Sequence, residues 1–432
     1  MRSIIHPGLA RGVLVCLALA AAACGAGHRT VKTPVGSSTI VFGTHQPQSG
    51  PAAPGYSQIA TASQAFFDYV NDHGGVYGRN VRLLIFNDAY NPTQAAGAVE
   101  HMVLYNNVFG IFEGLGTPTH LQVTPFLNAY QVPDVFVASP CPCWDNGTDN
   151  SFTYGWQPNS TIEGKILGSY IHRHFPGQRV GVLYQDDGAG QAGLAAIRDQ
   201  VPQVVAAKTY QPGATTVESQ LRDIKRAGAK VVVDLTLPAY TAMSVLSLLK
   251  LRYGPQLVVW SGGMDPITVA RLLDTYSGGA VHGFGLIDGA ITDAYLPSPG
   301  ETSNPWIRLF RKIDTQYDKN APLTTNVEYG MASAYTLVQA LRAAGPNLTR
   351  QSLIDAINNE GSSWRGPGLV PLRYSASDHS GFTGARMGRI VDGHLVLFGP
   401  TYTTTTRAGS PITAYRKAQP APPPNGFPGA TP

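Results

Sequence analysis

One stretch limits what this chain can become more than any other. It is Phe66 to Val103, FFDYVNDHGGVYGRNVRLLIFNDAYNPTQAAGAVEHMV. Ala65, Phe66, Tyr69 and Val70 recur at helical spacing. Gly74 and Gly75 stop that helix, because glycine enters the left-handed C-cap conformation without a Cβ clash. Gly78 and Arg79 close a second turn, and Val81, Leu83, Ile85 and Phe86 give a strand. Asp88 falls just past the strand, at the edge where open α/β sheets place ligands. Pro92 and Thr93 open the next helix, whose first turn needs no amide donor.

The same alternation runs through most of the chain. Strands are predicted at Thr39 to Phe42, Val108 to Phe112 and Val135 to Ala138, with helices from Tyr56 to Asp72 and Leu121 to Tyr130. Phe152 to Pro158 reads as an extended crossover. A second α/β series follows, from the helix Thr161 to His174 through the strand Gln256 to Trp260 and the helix Pro266 to Tyr276. Val281 to Leu286 reads as the return crossover, ahead of helices at Pro305 to Tyr317 and Thr325 to Ala344. A closing hairpin is expected between Gly366 and His394, and the Pro-rich residues 411–432 as a disordered tail.

The order N-x-x-G-G-x-x-G-R, then Leu and Asp88, then N-P-x-x-A resembles the type I periplasmic solute-binding proteins, in their leucine/isoleucine/valine-binding branch. The residues that carry it are Asn71, Gly74, Gly75, Gly78, Arg79, Asp88, Pro92 and Ala95. The resemblance covers about residues 37–400. It implies an α/β fold of two doubly wound lobes joined by crossover strands. The expected N-terminal lobe is 38–157 plus 284–360, and the C-terminal lobe 158–283 plus 361–410.

Length and charge agree with such a protein. The 432 residues suffice for two ordinary domains, and a net charge of +4 gives no support for a nucleic-acid partner. Residues 1–23 read as a secretory leader, with Arg2 and Arg11 before an apolar core too short to span a membrane. The run of alanines into Cys24-Gly25 resembles a bacterial lipobox, which makes Cys24 the lipid acceptor. Residues 24–37 are then a tether, and the protein is extracytoplasmic, held to the cell membrane by lipid on Cys24. The mature body keeps Cys141 and Cys143. A C-x-C disulfide closes a very small ring, so two free thiols are the favoured reading and a disulfide the alternative.

Other chemistry finds little support. Gly188-Ala189-Gly190-Gln191-Ala192-Gly193 is a literal G-x-G-x-x-G between a strand and a helix. Asp186 and Asp187 in front of it would repel a pyrophosphate, and the next strand lacks the acid that a ribose needs. There is no G-x-S-x-G elbow and no H-E-x-x-H, and pairing Cys141 or Cys143 with His45 or His120 is weakly motivated. No enzyme, metal or cofactor is expected.

The ligand site comes from the resemblance. Ser49 and Tyr56 lie at the first loop, Thr117 stands where the family has a hydroxyl, and Cys141 and Cys143 occupy the next loop. Asp187 and Asp265 are the acids available for an ammonium group, while Ala189 and Leu237 replace aromatic residues common in the family. The implied protein is a solute-binding component of an ABC importer, partnered by a permease and its ATPases. It captures a small polar ligand, an amino acid, amide or relative, by hinge closure. A ligand-sensing receptor of the same fold is the alternative.

Overall fold

The computed structural model describes residues 38–318 and 322–429; the leader, the tether and Cys24 lie outside them. The first lobe is built on a parallel five-stranded sheet of order β2-β1-β3-β4-β5. Its strands are β1 (Thr39–Gln46), β2 (Asn80–Asn87), β3 (Gly110–Phe112), β4 (Asp134–Val137) and β5 (Thr153–Gly155). The intervening helices are the one-turn α1 (Ala53–Tyr56), then α2 (Ile59–Asp72), α3 (Pro92–Leu104) and α4 (Thr117–Ala129).

The motif that fixes this lobe has a mechanical reading. The Asn71 side-chain amide donates to the Val81 carbonyl at 2.9 Å and accepts the Val81 N–H at 2.7 Å, so the end of α2 clasps the start of β2. Gly74, Gly75 and Gly78 all take positive φ between them. A Cβ on Gly75 would lie 2.2 Å from the Arg79 carbonyl oxygen, so only glycine fits.

The chain crosses to the second lobe after Gly155. There α5 (Ser160–His174), α6 (Gly188–Gln200), α7 (Glu218–Arg226), α8 (Pro238–Lys250) and α9 (Pro266–Tyr276) alternate with strands. Those strands are β6 (Val180–Gln185), β7 (Val204–Tyr210), β8 (Val231–Leu235), β9 (Gln256–Val259) and β10 (Ile291–Ala294). Helices α10 (Pro305–Tyr317), α11 (Thr325–Ala343) and α12 (Arg350–Glu360) return to the first lobe. Helix α11 packs on α2 so closely that a Cβ on Gly330 would sit 2.3 Å from the Ile59 carbonyl oxygen. Buried Glu113 ties the two helices together, accepting the hydroxyls of Ser63 and Ser333.

Three expectations are corrected here. The return crossover does not lie at Val281 to Leu286, which forms no strand; Gly283 has a φ of 72° and breaks the run. The next apolar run instead forms β10, parallel to β9, so the second lobe continues past residue 284 to Ala294. Residues 361–383 are not in the second lobe's sheet either. The hairpin β11 (Leu372–Ser375) and β12 (Asp378–Phe382) makes a separate two-stranded sheet against the first lobe. Tyr374 donates its hydroxyl to the Gly155 carbonyl at 2.7 Å, and His379 Nδ1 lies 2.8 Å from the Thr153 carbonyl oxygen. Only β13 (Gly384–Val391), β14 (His394–Thr403) and β15 (Thr413–Tyr415) rejoin the larger sheet, of order β15-β14-β13-β10-β9-β8-β6-β7.

The tail is also not a loose end. After β15 it runs back across the first lobe, where Trp306 Nε1 donates to the Pro420 carbonyl at 2.6 Å. Tyr69 donates to the Asn425 carbonyl at 2.8 Å, and Phe427 is buried against Tyr69 and His73. Prolines leave few amides to satisfy, and the backbone carbonyls meet donors on α2 and α10.

Candidate functional site

The carboxyl ends of the parallel strands in the two sheets face each other across a cleft of about 960 Å³, partly open to solvent. This is where doubly wound sheets bind ligands, because successive loops diverge there. The first lobe supplies Tyr56, Tyr90, Thr117 and Ser139, and α11 adds Asn326 and Glu328. The second supplies Gln185, Asp187, Trp260, Ser261 and Asp293.

Three sets of hydrogen bonds join the lobes around this cleft. Tyr56 donates its hydroxyl to the Gly262 carbonyl at 2.6 Å. Gln185 Nε2 donates to the Tyr90 hydroxyl at 3.1 Å, while within the second lobe Gln185 Oε1 accepts from the Tyr210 hydroxyl at 3.2 Å. Asp265 Oδ2 accepts both the backbone N–H and the hydroxyl of Thr325, each at 2.8 Å. The backbone at Ala89 and Tyr90 holds φ of 50° and 60°, left-handed values that carry Tyr90 toward the second lobe.

The electrostatics of the wall are one-sided. No Lys, Arg or His is among the described residues that line the cleft, whereas Asp187, Asp293 and Glu328 all do. Asp187 caps α6, accepting the Gly190 N–H at 2.8 Å and Gln185 Nε2 at 2.6 Å. Burial raises its pKa, and bonds from Gly190, Gln185 and Thr117 draw it back. Behind the wall, Glu163 accepts the Ser261 hydroxyl at 2.5 Å and the Ser261 N–H at 3.2 Å. Burial pushes Glu163 up to about 7. Asp293 is driven up by burial and then by the negative charge of Glu163. Neither Asp293 oxygen has a hydrogen-bond partner, and the nearby Glu163 carboxyl favours a neutral Asp293. Glu328 is raised well above its usual range, by burial first and then by Glu301, and its Oε1 has no partner.

The residues predicted for this site separate in the structure. Tyr56, Thr117 and Asp187 line the cleft. Thr117 Oγ1 pairs with Ser139 Oγ at 2.8 Å, at the N-terminus of α4. Ser49 is exposed and accepts from Asn87 Nδ2 at 2.8 Å, outside the cleft lining. Cys141 and Cys143 form a disulfide, not a pair of free thiols, and stand behind the lining. A Cβ on Gly188 would meet their sulfurs at 3.0 and 3.2 Å, so the disulfide packs on the first residue of α6. Asp265 is buried away from the lining. Its Oδ1 caps α9 through the Thr268 N–H at 2.7 Å, and its Oδ2 is taken by Thr325.

His45 and His120 have no part in a cysteine pair. They stack in a fully buried row, with His45 Nδ1 2.7 Å from Asp88, His45 Nε2 2.9 Å from His120 Nδ1 and His120 Nε2 2.8 Å from Asp134. Burial lowers the His45 pKa, and the bond to Asp88 opposes it. The sequence reading missed Asp293, Glu328 and Trp260. Its available signal was an acid inside an otherwise apolar run, Ile291-Thr292-Asp293-Ala294 and Val327-Glu328-Tyr329.

A family sequence profile described as "Periplasmic binding protein" matches residues 39–394. The chain belongs to the periplasmic binding protein family. This family is one of solute-binding proteins, not enzymes. Among its curated members, Leu/Ile/Val-binding protein homolog 7 of Brucella abortus is 24% identical over 267 residues, 58% of this chain and 63% of that protein. The chain therefore spans less than two thirds of that relative. Leu/Ile/Val-binding protein homolog 1 of the same species is 21% identical over 316 residues, 71% of this chain and 79% of its own length. Two solved structures share the type I fold. A branched chain amino acid ABC transporter protein from Thermus thermophilus with bound valine has a TM-score of 0.73 at 18% identity, covering 85% of this chain and 97% of its own. A fatty acid ABC transporter substrate-binding protein from Thermomonospora curvata has a TM-score of 0.70 at 18% identity, covering 85% and 93%. Among the described residues no helix is long and apolar enough to cross a membrane.

Proposed function

We propose that this protein is the extracytoplasmic solute-binding component of an ABC importer, anchored by lipid on Cys24. It captures a small polar ligand by closing its lobes and passes it to a permease driven by ATPases. The observation that carries this reading is the ring of inter-lobe bonds around the cleft: Tyr56 to Gly262, Gln185 to Tyr90 and Asp265 to Thr325. Each bond ties one lobe to the other, so a ligand that fills the cleft and touches both lobes adds to the contacts that favour closure. The names of the relatives, which include leucine/isoleucine/valine-binding and ABC transporter proteins, support transport. Ser49, Tyr56, Thr117, Cys141, Cys143, Asp187 and Asp265 were the expected ligand contacts; Tyr56, Thr117 and Asp187 are the three we retain, joined by Asp293 and Glu328.

The test is mass spectrometry of small molecules released on denaturing the purified protein, followed by calorimetry and X-ray scattering with the molecule found. The reading requires a released ligand and a smaller radius of gyration when it is added back. Absence of any released or added ligand, with one unchanging radius, would sink it. Labelling with a lipid precursor, lost in Cys24→Ser, tests the anchor.

A further inference from the structure

We infer that the cleft takes an organic cation, an amine on a compact apolar body, and not a zwitterionic or anionic solute. This rests on the solute-binding reading above. It begins with charge: the lining holds Asp187, Asp293 and Glu328 and no cationic side chain among the described residues. A ligand carboxylate enclosed there would be buried with no counterion, which costs several kcal/mol.

The corner that suits an anion is already filled. The N-terminus of α4 and the hydroxyls of Thr117 and Ser139 form a place where a carboxylate is favoured. Asp187, reaching from the second lobe, lines the cleft together with Thr117 and Ser139, and Thr117 is among the groups that draw its raised pKa back down. The protein's own carboxylate thus stands where a ligand's would go.

The opposite wall is short of donors. Both oxygens of Asp293 and Oε1 of Glu328 lack a donor, although each residue is 1% exposed. Beside them, Asn326 Nδ2 and the Tyr329 hydroxyl are also buried without a partner. The four residues that carry these unmet polar atoms all line one cavity, which marks a wall suited to a polar group that arrives with a ligand. An ammonium brings up to three donors and a positive charge, and answers the carboxylates directly.

The rest of the wall is aromatic. Tyr56, Tyr90, Trp260, Tyr295 and Tyr329 present five rings to the cavity. Ring faces attract cations, and carboxylates with aromatic rings are the usual surroundings of bound amines. Proton balance follows from the same geometry. Without a cation, the Glu163–Asp293 pair and Glu328 are held neutral by burial. An ammonium seated against them stabilises the carboxylate form, so a proton leaves for solvent as the amine binds.

Leucine and its two halves supply the test on the full mature chain, freed of bound ligand. Isoamylamine is leucine without the carboxylate, and 4-methylpentanoate is leucine without the ammonium. Phenethylamine and putrescine widen the cationic set. In calorimetry at neutral pH, at least one amine is expected to bind about 10-fold or more tightly than leucine, and 4-methylpentanoate not at all. The amine heat should vary with buffer ionisation enthalpy, reporting proton release. Asp293→Asn and Glu328→Gln should each weaken the amine about 10-fold with an unchanged circular dichroism spectrum. The inference is overturned if leucine or 4-methylpentanoate binds as tightly as the best amine, or if no amine binds. Tight binding of leucine alone would overturn the cation assignment and leave the solute-binding reading intact. Failure of every probe, with no small molecule released from the purified protein, would remove both.

Discussion

Tyr56 of the first lobe gives its hydroxyl to the carbonyl of Gly262 in the second, 2.6 Å away. Tyr56 is half-buried, and desolvation raises its pKa far enough that it remains a donor at all physiological pH. Tyr56→Phe keeps the ring and removes this one contact. A net intramolecular hydrogen bond is worth about 1 kcal/mol, so ligand affinity should fall roughly 5-fold. Titration calorimetry with the native ligand checks this, and equal affinity in both proteins would show that the bond does not contribute to closure.

Asp265 joins two elements without lining the cleft. It caps α9 through Thr268 and holds Thr325 at the start of α11. Asp265→Ala removes a cap worth about 1 kcal/mol and leaves the Thr325 N–H without its acceptor. We expect a loss of about 2 kcal/mol in denaturant unfolding, largely restored by Asp265→Asn, which also caps helices. A full affinity loss in Asp265→Ala with unchanged stability would instead make it a ligand contact.

Glu113 sets a pH dependence. Burial raises its pKa to about 8, opposed by bonds from Ser333 and Ser63. The unfolded carboxyl titrates near 4.5, so between these values the folded chain holds a proton that the unfolded chain has lost. Stability therefore falls as pH rises from about 4.5 to about 8, by up to about 1.4 kcal/mol per pH unit, and the loss is complete above that window. Glu113→Gln, neutral at every pH, should flatten that part of the profile. A slope unchanged by the substitution would assign the effect to other carboxyls.

Gly190 is the second glycine of the G-x-G-x-x-G run, and its role is steric. A Cβ there would lie 2.0 Å from the Gln185 carbonyl oxygen, a backbone atom that cannot move aside. Gly190→Ala should lower the unfolding temperature, and neither ATP nor NAD should shift the temperature of the parent protein. A nucleotide-dependent rise in the parent would contradict this.

The architecture was legible because its signals are local. Helix and strand periods alternate along the chain, and the glycines after Asn71 mark left-handed turns, of which the one at Gly75 has no room for a side chain. The cleft was legible only in its loops, where Thr117 and Asp187 follow strands. Asp293 and Glu328 lie inside a buried strand and a buried helix, and their surroundings are set by distant segments. Asp265 was misplaced for a local reason. Asp-Pro-Ile-Thr is a helix-start pattern, with an acid cap, proline in the first turn and a free N–H three residues on. The tail misled through composition, since proline-rich chain can be ordered by partners on the body that supply donors to its carbonyls.

That tail acts as a leash. It is fastened to the second lobe at Tyr415, opposite Thr401, and to the first at Pro420 through Trp306. Four residues lie between these fastenings, and the five Cα-to-Cα steps from Tyr415 to Pro420 reach about 17 Å when extended. The two anchor points can separate no further unless a fastening is released. The gape of the cleft thus has a mechanical stop outside the hinge, written in the number of peptide units between two hydrogen bonds.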